Sequence, residues 1–312
     1  MTLAACDTRA PEQRHDVAAE AKGHARSAPT RTGYADVGGA RFYYQIHGDI
    51  GSGKTPLLVL HGSYMSGDAM APLVEQFAAT RPVIAVDARG HGRTGDLPGP
   101  ITYDQLADDA AGVLNALKVP TADVLGYSMG GITALALAVR HPDKVGKQII
   151  LSGTSRRNGW YPELNESFKK VTPAAFAGTP LESEYMRLSP TPNAFATLVG
   201  KLRTLDGSNY DMPDDAIRGI HDKTMIVVGD ADGVTLEYAV ELFKLRGGGD
   251  KKAILQGFMA ESPRARLLIL PGTTHIGIMA NAERIAQLGV PFLDDAKPPI
   301  PPGFLKDSSG SR

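Results

Sequence analysis

The chain has 312 residues, 42% of them apolar and 21% charged, with a formal net charge of −1. This is the composition of a globular protein long enough to bury a sizeable core, and the near-zero charge removes any electrostatic case for a nucleic-acid partner. No apolar run reaches the roughly 18 residues that a transmembrane helix needs, and the single cysteine, Cys6, leaves no intramolecular disulfide to form.

Residues 1–33 mix Ala, Arg, Glu, Asp and His without apolar periodicity and read as a disordered leader. Within it, Leu3-Ala4-Ala5-Cys6 has the letters of a bacterial lipobox, in which the cysteine carries a lipid anchor. A chance tetrapeptide in an Ala-rich leader fits equally well. The first reading places the protein in the cell envelope and requires a charged, apolar segment upstream of Met1; the second places it in the cytoplasm.

Ala40–His47 is aromatic and partly alternating, as expected of an antiparallel edge strand. Gly48–Thr55 matches the phosphate-binding pattern G-x-x-x-x-G-K-[ST] letter for letter. That loop works only when a helix follows the Lys-Thr pair and points its N–H groups at phosphate. Here Pro56 and the apolar run Leu57–Leu60 follow, so the segment reads as a polar hairpin loop between two strands.

Leu57–Leu60, Val83–Val86, Val124–Leu125, Gln148–Leu151, Met225–Val228 and Leu267–Leu270 are short continuous apolar runs, the mark of strands buried on both faces. Helical patterns lie between them at Met70–Ala79, Thr102–Leu117, Met129–Arg140, Leu236–Leu245 and Ala282–Phe292. The alternation predicts an α/β fold with a mostly parallel sheet covered by helices on both sides. It stops over residues 154–219, which hold many Pro and Gly, the only tryptophan, and no buried strand pattern. This stretch reads as a helical cap inserted into a core formed by residues 34–153 and 220–296. Residues 297–312, with four prolines and then Ser308-Ser309-Gly310-Ser311, read as a loose tail.

Gly126-Tyr127-Ser128-Met129-Gly130 follows a buried strand and precedes a helix, the context in which G-x-S-x-G carries chemistry. The turn is so sharp that side chains two residues either side of the serine would clash, and glycine removes them. Ser128 then projects at the N-terminus of the Met129–Arg140 helix, whose unpaired N–H groups can stabilise a developing oxyanion. A base is needed, and eight histidines compete. His15 and His24 are in the leader, His47 ends a strand, His141 stops a helix before Pro142, and His221 ends the cap. His61 and His91 sit in glycine turns. His275 follows the last buried strand, on the same sheet edge as Ser128, and is the candidate base. Asp230 and Asp232 follow the Met225–Val228 strand on that edge; Asp232 is the choice to orient His275, with Asp230 the alternative. The oxyanion donors are expected to be the backbone N–H of Met129 and that of Ser63, from His61-Gly62-Ser63 after the first buried strand.

His61-Gly62, Asp87-Ala88-Arg89-Gly90-His91-Gly92, Gly126 to Gly131, Gly229 to Asp232, and Pro271 to His275 together resemble, in order, the landmark motifs of the α/β-hydrolase superfamily. The G-x-S-M-G-G form resembles the branch containing small esterases, enol-lactonases, carbon–carbon bond hydrolases and cofactor-free haloperoxidases. The resemblance implies about eight strands under a cap, with Ser128, Asp232 and His275 as triad and Ser63 and Met129 as oxyanion donors. It implies neither cofactor nor metal. The expected activity is hydrolysis of a small-molecule carboxylic ester, lactone or thioester through an acyl-enzyme. Carbon–carbon hydrolysis or perhydrolysis in the same site, or a low-turnover ligand-binding receptor of the same fold, are the alternatives. Trp160, Tyr161, Phe168, Phe176, Tyr185 and Phe195 either line the pocket or pack the cap on the core.

Overall fold

The apolar runs become the strands of one eight-stranded sheet. The structure, a computed structural model, describes residues 28–259 and 261–300. Its strands are β1 (Arg31–Val37), β2 (Ala40–His47), β3 (Leu57–Leu60), β4 (Val83–Val86), β5 (Ala122–Tyr127), β6 (Val145–Leu151), β7 (Thr224–Ala231) and β8 (Ala265–Thr274). They lie in the order β1-β2-β4-β3-β5-β6-β7-β8. β1, β2 and β4 pair antiparallel, and every pairing from β4 to β8 is parallel.

The central strands carry continuous apolar runs because they serve two cores. Leu58, Leu60, Ile84, Val86, Val124, Ile150, Ile226 and Val228 face α2 (Tyr103–Ala116), α3 (Met129–Arg140) and α8 (Leu236–Leu245). Leu57, Val59, Val83, Ala85, Leu125, Ile149, Met225 and Val227 face α1 (Ala71–Ala78) and α10 (Ala282–Leu293). Successive strand side chains point to opposite faces, so a sheet covered on both sides has no polar face to alternate with. Since β3 to β8 are parallel, their carboxyl ends share one edge, where ligands bind in open sheets of this kind.

Between β6 and β7 the chain leaves the sheet and forms α4 (Pro162–Phe168), α5 (Pro180–Leu188), α6 (Phe195–Gly207) and α7 (Asp214–Gly219). α4 and α5 are short and begin at Pro, which fits the first helical turn and terminates what precedes it. α6 holds the insertion down through Phe195, Leu198, Val199, Leu202 and Leu205, all buried. The long connection between β7 and β8 after α8 contains a further short helix, α9 (Lys251–Gln256).

Three details depart from the sequence reading. β1 begins at Arg31, inside the stretch read as leader, because its outer face is polar and only Ala35 is fully buried. β2 is therefore not the edge strand, since β1 covers it. The Gly48–Thr55 segment is not a hairpin loop, because β4 lies between β2 and β3. The chain crosses over instead, and it enters a strand, not a helix, after Thr55. Cys6 and residues 301–312 lie outside the described residues. No helix among the described residues is long and apolar enough to cross a membrane.

Lys54 of the phosphate-loop look-alike is exposed and donates to the Thr80 carbonyl at 2.7 Å. Lys54→Ala should change stability by less than about 1 kcal/mol, and saturating magnesium ATP should leave the melting temperature of either protein unmoved. A magnesium-dependent rise in the wild type, lost in the variant, would restore the nucleotide reading.

Candidate active site

Ser128 sits in strained backbone, φ 54° and ψ −116°, between the last residue of β5 and the first of α3. Its N–H donates to the Leu151 carbonyl at 2.8 Å, and its carbonyl accepts from Gly131 and Ile132 at 2.9 and 3.1 Å. The flanking glycines allow this fold-back. A Cβ on Gly126 would lie 2.1 Å from the Gly130 carbonyl oxygen, and one on Gly130 would lie 2.1 Å from the Leu60 carbonyl oxygen. Both obstacles are backbone, which cannot swing aside.

Ser128, His275 and Asp232 are brought together in one hydrogen-bonded chain. His275 follows β8 directly, and its Nε2 is 3.0 Å from the Ser128 Oγ. Its Nδ1 is 2.8 Å from the Asp232 Oδ1. Tyr127 donates from its hydroxyl to the His275 carbonyl at 3.0 Å, and the Trp160 ring stands edge-on to the imidazole, centroids 5.3 Å apart. Since Nδ1 faces a carboxylate, it carries the proton, which leaves Nε2 as an acceptor toward Ser128.

Asp232 is buried. Burial opposes its ionisation, but hydrogen bonds from His275, Ser152 and the Gly229 N–H outweigh that and hold the carboxyl below its usual range. Oδ1 also accepts from the Val234 N–H at 3.2 Å, and Oδ2 from the Gly229 N–H at 3.2 Å and from the Ser152 hydroxyl. Asp230 points elsewhere. Its fully exposed carboxylate accepts from the N–H groups of Gly272 and Thr273 at 3.0 and 3.1 Å, which hold it below the usual range. It braces the turn that leads into His275 without touching the imidazole.

Ser63 and Met129 border the same cavity as Ser128 and His275. The Met129 N–H is in the first turn of α3, where no intrahelical partner exists, and among the described residues neither N–H is used by another loop contact. The other histidines are accounted for: His47 is buried at the end of β2 and His221 is exposed just before β7. His61 is buried, accepting at Nε2 from the Ala88 N–H at 3.0 Å, so that Nδ1 donates to the Gly62 carbonyl at 2.8 Å. His91 packs against it, centroids 5.0 Å apart. His141 caps α3 and meets Asp108 at 2.7 Å. His15 and His24 lie outside the described residues.

The cavity has about 820 Å3 of open space, mouth included, and is walled by Tyr64, Tyr103, Trp160, Phe168 and Tyr210 above Ser128 and His275. Of the six aromatic residues noted in the insertion, Trp160 and Phe168 line it, Tyr161 is exposed, and Phe176, Tyr185 and Phe195 pack on one another. Sequence reasoning missed Ser152, which holds the second oxygen of Asp232, and Asp206, Tyr103 and Tyr210 in the cavity wall. Ser152 had a usable signal: it follows a buried strand run at the same edge as the other site residues. The wall residues had none: only the folded insertion brings Asp206 and Tyr210 over Ser128, and Tyr103 begins α2, far from the site motifs in sequence. Among the described residues no cluster of His, Cys, Asp and Glu is arranged to hold a metal ion.

Residues 55–276 match the family model described as alpha/beta hydrolase fold. The chain is 36% identical over 138 residues to a putative carbamate hydrolase, RutD, of Azorhizobium caulinodans, covering 44% of this chain and 51% of that one. It is 40% identical over 112 residues to the 2-hydroxymuconate semialdehyde hydrolase of Pseudomonas sp. strain CF600, covering 34% and 38%. These matches span about half the length of the curated relatives or less. In three dimensions it is similar to the enol-lactonase of Burkholderia xenovorans LB400, with a TM-score of 0.62 and 23% identity over 84% of this chain and all of that one; at that identity the likeness concerns the fold.

Gly130→Ala should destabilise the protein by about 3 kcal/mol or more, because the new methyl group meets backbone oxygen. Urea denaturation measures it; a loss under about 1 kcal/mol would mean that the turn is less tightly built than these distances require.

Proposed function

The chain belongs to the alpha/beta hydrolase fold family, and from that premise we propose that it is a serine hydrolase that cleaves a carboxylic ester, or a lactone or thioester, through an acyl-enzyme. The observation that carries the reading is the chain of contacts from Ser128 Oγ to His275 Nε2 at 3.0 Å and from His275 Nδ1 to Asp232 Oδ1 at 2.8 Å. Ser128 attacks the carbonyl carbon as His275 takes its proton, and the buried carboxylate of Asp232 stabilises the imidazolium. The N–H groups of Ser63 and Met129 hold the oxyanion, the second at the positive end of α3. His275 returns the proton to the leaving alcohol. A water, deprotonated by His275 in turn, then attacks the acyl carbon and releases the acid and Ser128.

The helical insertion between β6 and β7 serves as the cap. It supplies Trp160 and Phe168 to the cavity wall, and Trp160 also forms an antiparallel bridge to Val234, two residues after Asp232. The cap thereby rests on the loop that carries the acid. Among relatives, the names carbamate hydrolase and semialdehyde hydrolase keep carbamate and carbon–carbon cleavage as the second reading. The mostly apolar, aromatic wall favours a substrate with a hydrocarbon or aromatic body in either case.

A panel of p-nitrophenyl esters of graded acyl length tests the reading. Wild type should turn over, with an optimum that reports the cavity depth, and Ser128→Ala should lose about a millionfold in kcat. A variant that keeps more than a small fraction of the rate would remove Ser128 as nucleophile. Asp232→Asn should cost about 10⁴-fold through the wrong imidazole tautomer. Asp230→Asn should lower the melting temperature and reduce the rate far less, since it acts only on the turn before His275. The reverse ranking would exchange the two aspartates.

A further inference from the structure

Among the described residues Asp206 is the one carboxylate in the cavity wall, and the proposed hydrolysis does not use it. It lies in the last turn of α6. Around it are Tyr64 from the loop after β3, Tyr103 of α2, and Tyr210 after α6, with Trp160 and His275 lining the same cavity. Among the described residues its oxygens have no hydrogen-bond or ion-pair partner. The nearby guanidinium of Arg157 is directed to the Ser208 and Asn165 carbonyls, each at 3.4 Å. Arg203, on the same helix, is exposed. Asn165, also in the wall, spends its amide hydrogens on the carbonyls of Arg157 and Trp160. The polar groups left facing the cavity at this wall are therefore acceptors, apart from tyrosine hydroxyls that can play either part.

An unpaired carboxylate among aromatic rings is unfavourable in the empty protein. Burial pushes the Asp206 carboxyl up to about 7, with Arg157 opposing only in part. A cation brought in by a ligand would supply the missing counter-charge and would also meet the electron-rich faces of the surrounding rings.

We propose that the cavity takes substrates bearing a protonated amine away from the bond to be cleaved, with Asp206 as its counter-ion and a specificity-determining residue. This deepens the hydrolase reading by naming a substrate class for the same cavity, and it rests on that reading for the word substrate alone; the binding preference stands without turnover.

The test reads binding. Trp160 is the only tryptophan in the chain and borders the cavity, so its fluorescence reports occupancy. The probes are n-hexylammonium and 1-hexanol, which share a chain and differ in charge. At pH 8 the wild type should bind the ammonium about 10-fold or more tighter than the alcohol. The ratio should fall toward one at pH 5, as Asp206 takes up its proton. In Asp206→Asn the ratio should be about one at both pH values. Because His275 is present in both proteins, its contribution cancels from the comparison. Ser128→Ala should show the wild-type ratio, which separates this result from the fate of the esterase reading.

A stability readout stands beside it. A carboxyl whose folded pKa is raised costs stability as pH climbs from its unfolded value of about 3.9 through about 7. Asp206→Asn should therefore raise the melting temperature of the empty protein at pH 8 and leave it little changed at pH 5. Equal affinities for the two probes in the wild type at pH 8, no binding of either, or a preference that survives in Asp206→Asn would each overturn the proposal.

Discussion

The site depends on the contact between the first turn of α3 and the ends of β3 and β5. Gly130 lies against the Leu60 and His61 carbonyls, and Gly126 lies against Gly130. Only at that separation can the chain reverse within one residue and lift Ser128 off the sheet. The strain at Ser128 is sustained by Leu151, which accepts its N–H, and by the helix that begins at once behind it. The same proximity leaves the Met129 N–H in the unpaired first turn of α3, bordering the cavity beside Ser128. The position of Ser128 and the availability of an unpaired N–H beside it are thus two results of one packing constraint.

A second layer fixes Asp232 and His275. Asp232 is a buried carboxylate whose desolvation is offset by four donors: the His275 imidazole, the Ser152 hydroxyl, and two backbone N–H groups. Three of these lie at or just beyond the ends of β6 and β7, adjacent strands in the sheet. The carboxylate is consequently oriented before any substrate arrives, and the tautomer of His275 follows from it. Asp230, two residues earlier, ties the β7 end to the turn of β8. Two aspartates in one short motif thus divide the work, one on the imidazole and one on the loop that presents it.

Much of this was legible in the residues. Leu57–Leu60 and Val83–Val86 name their strands to the residue, because a strand buried on both faces leaves an unbroken apolar run bounded by polar turns. Ser128 and His275 were legible because glycine spacing and chain order each encode a geometric demand. β1 was not, since a strand buried on one side at a sheet margin needs few apolar residues, and Arg31-Thr32-Gly33 resembles a leader. The crossing of residues 48–56 over β4 was hidden as well, because strand order is decided by packing between distant segments. The cavity wall was least legible of all. Asp206 belongs to an ordinary amphipathic helix, and nothing in its neighbours announces that its side chain faces a cavity rather than water.

The proposed reaction turns on acylation of Ser128. Rapid quenching of the protein with an excess of a p-nitrophenyl ester, followed by proteolysis and mass spectrometry, reads it directly. The peptide that contains Ser128 should show a transient mass increase equal to the acyl group, decaying as substrate is exhausted. Turnover of the ester with no adduct at any time, or an adduct that forms on another residue at the same rate when Ser128 is alanine, would contradict it.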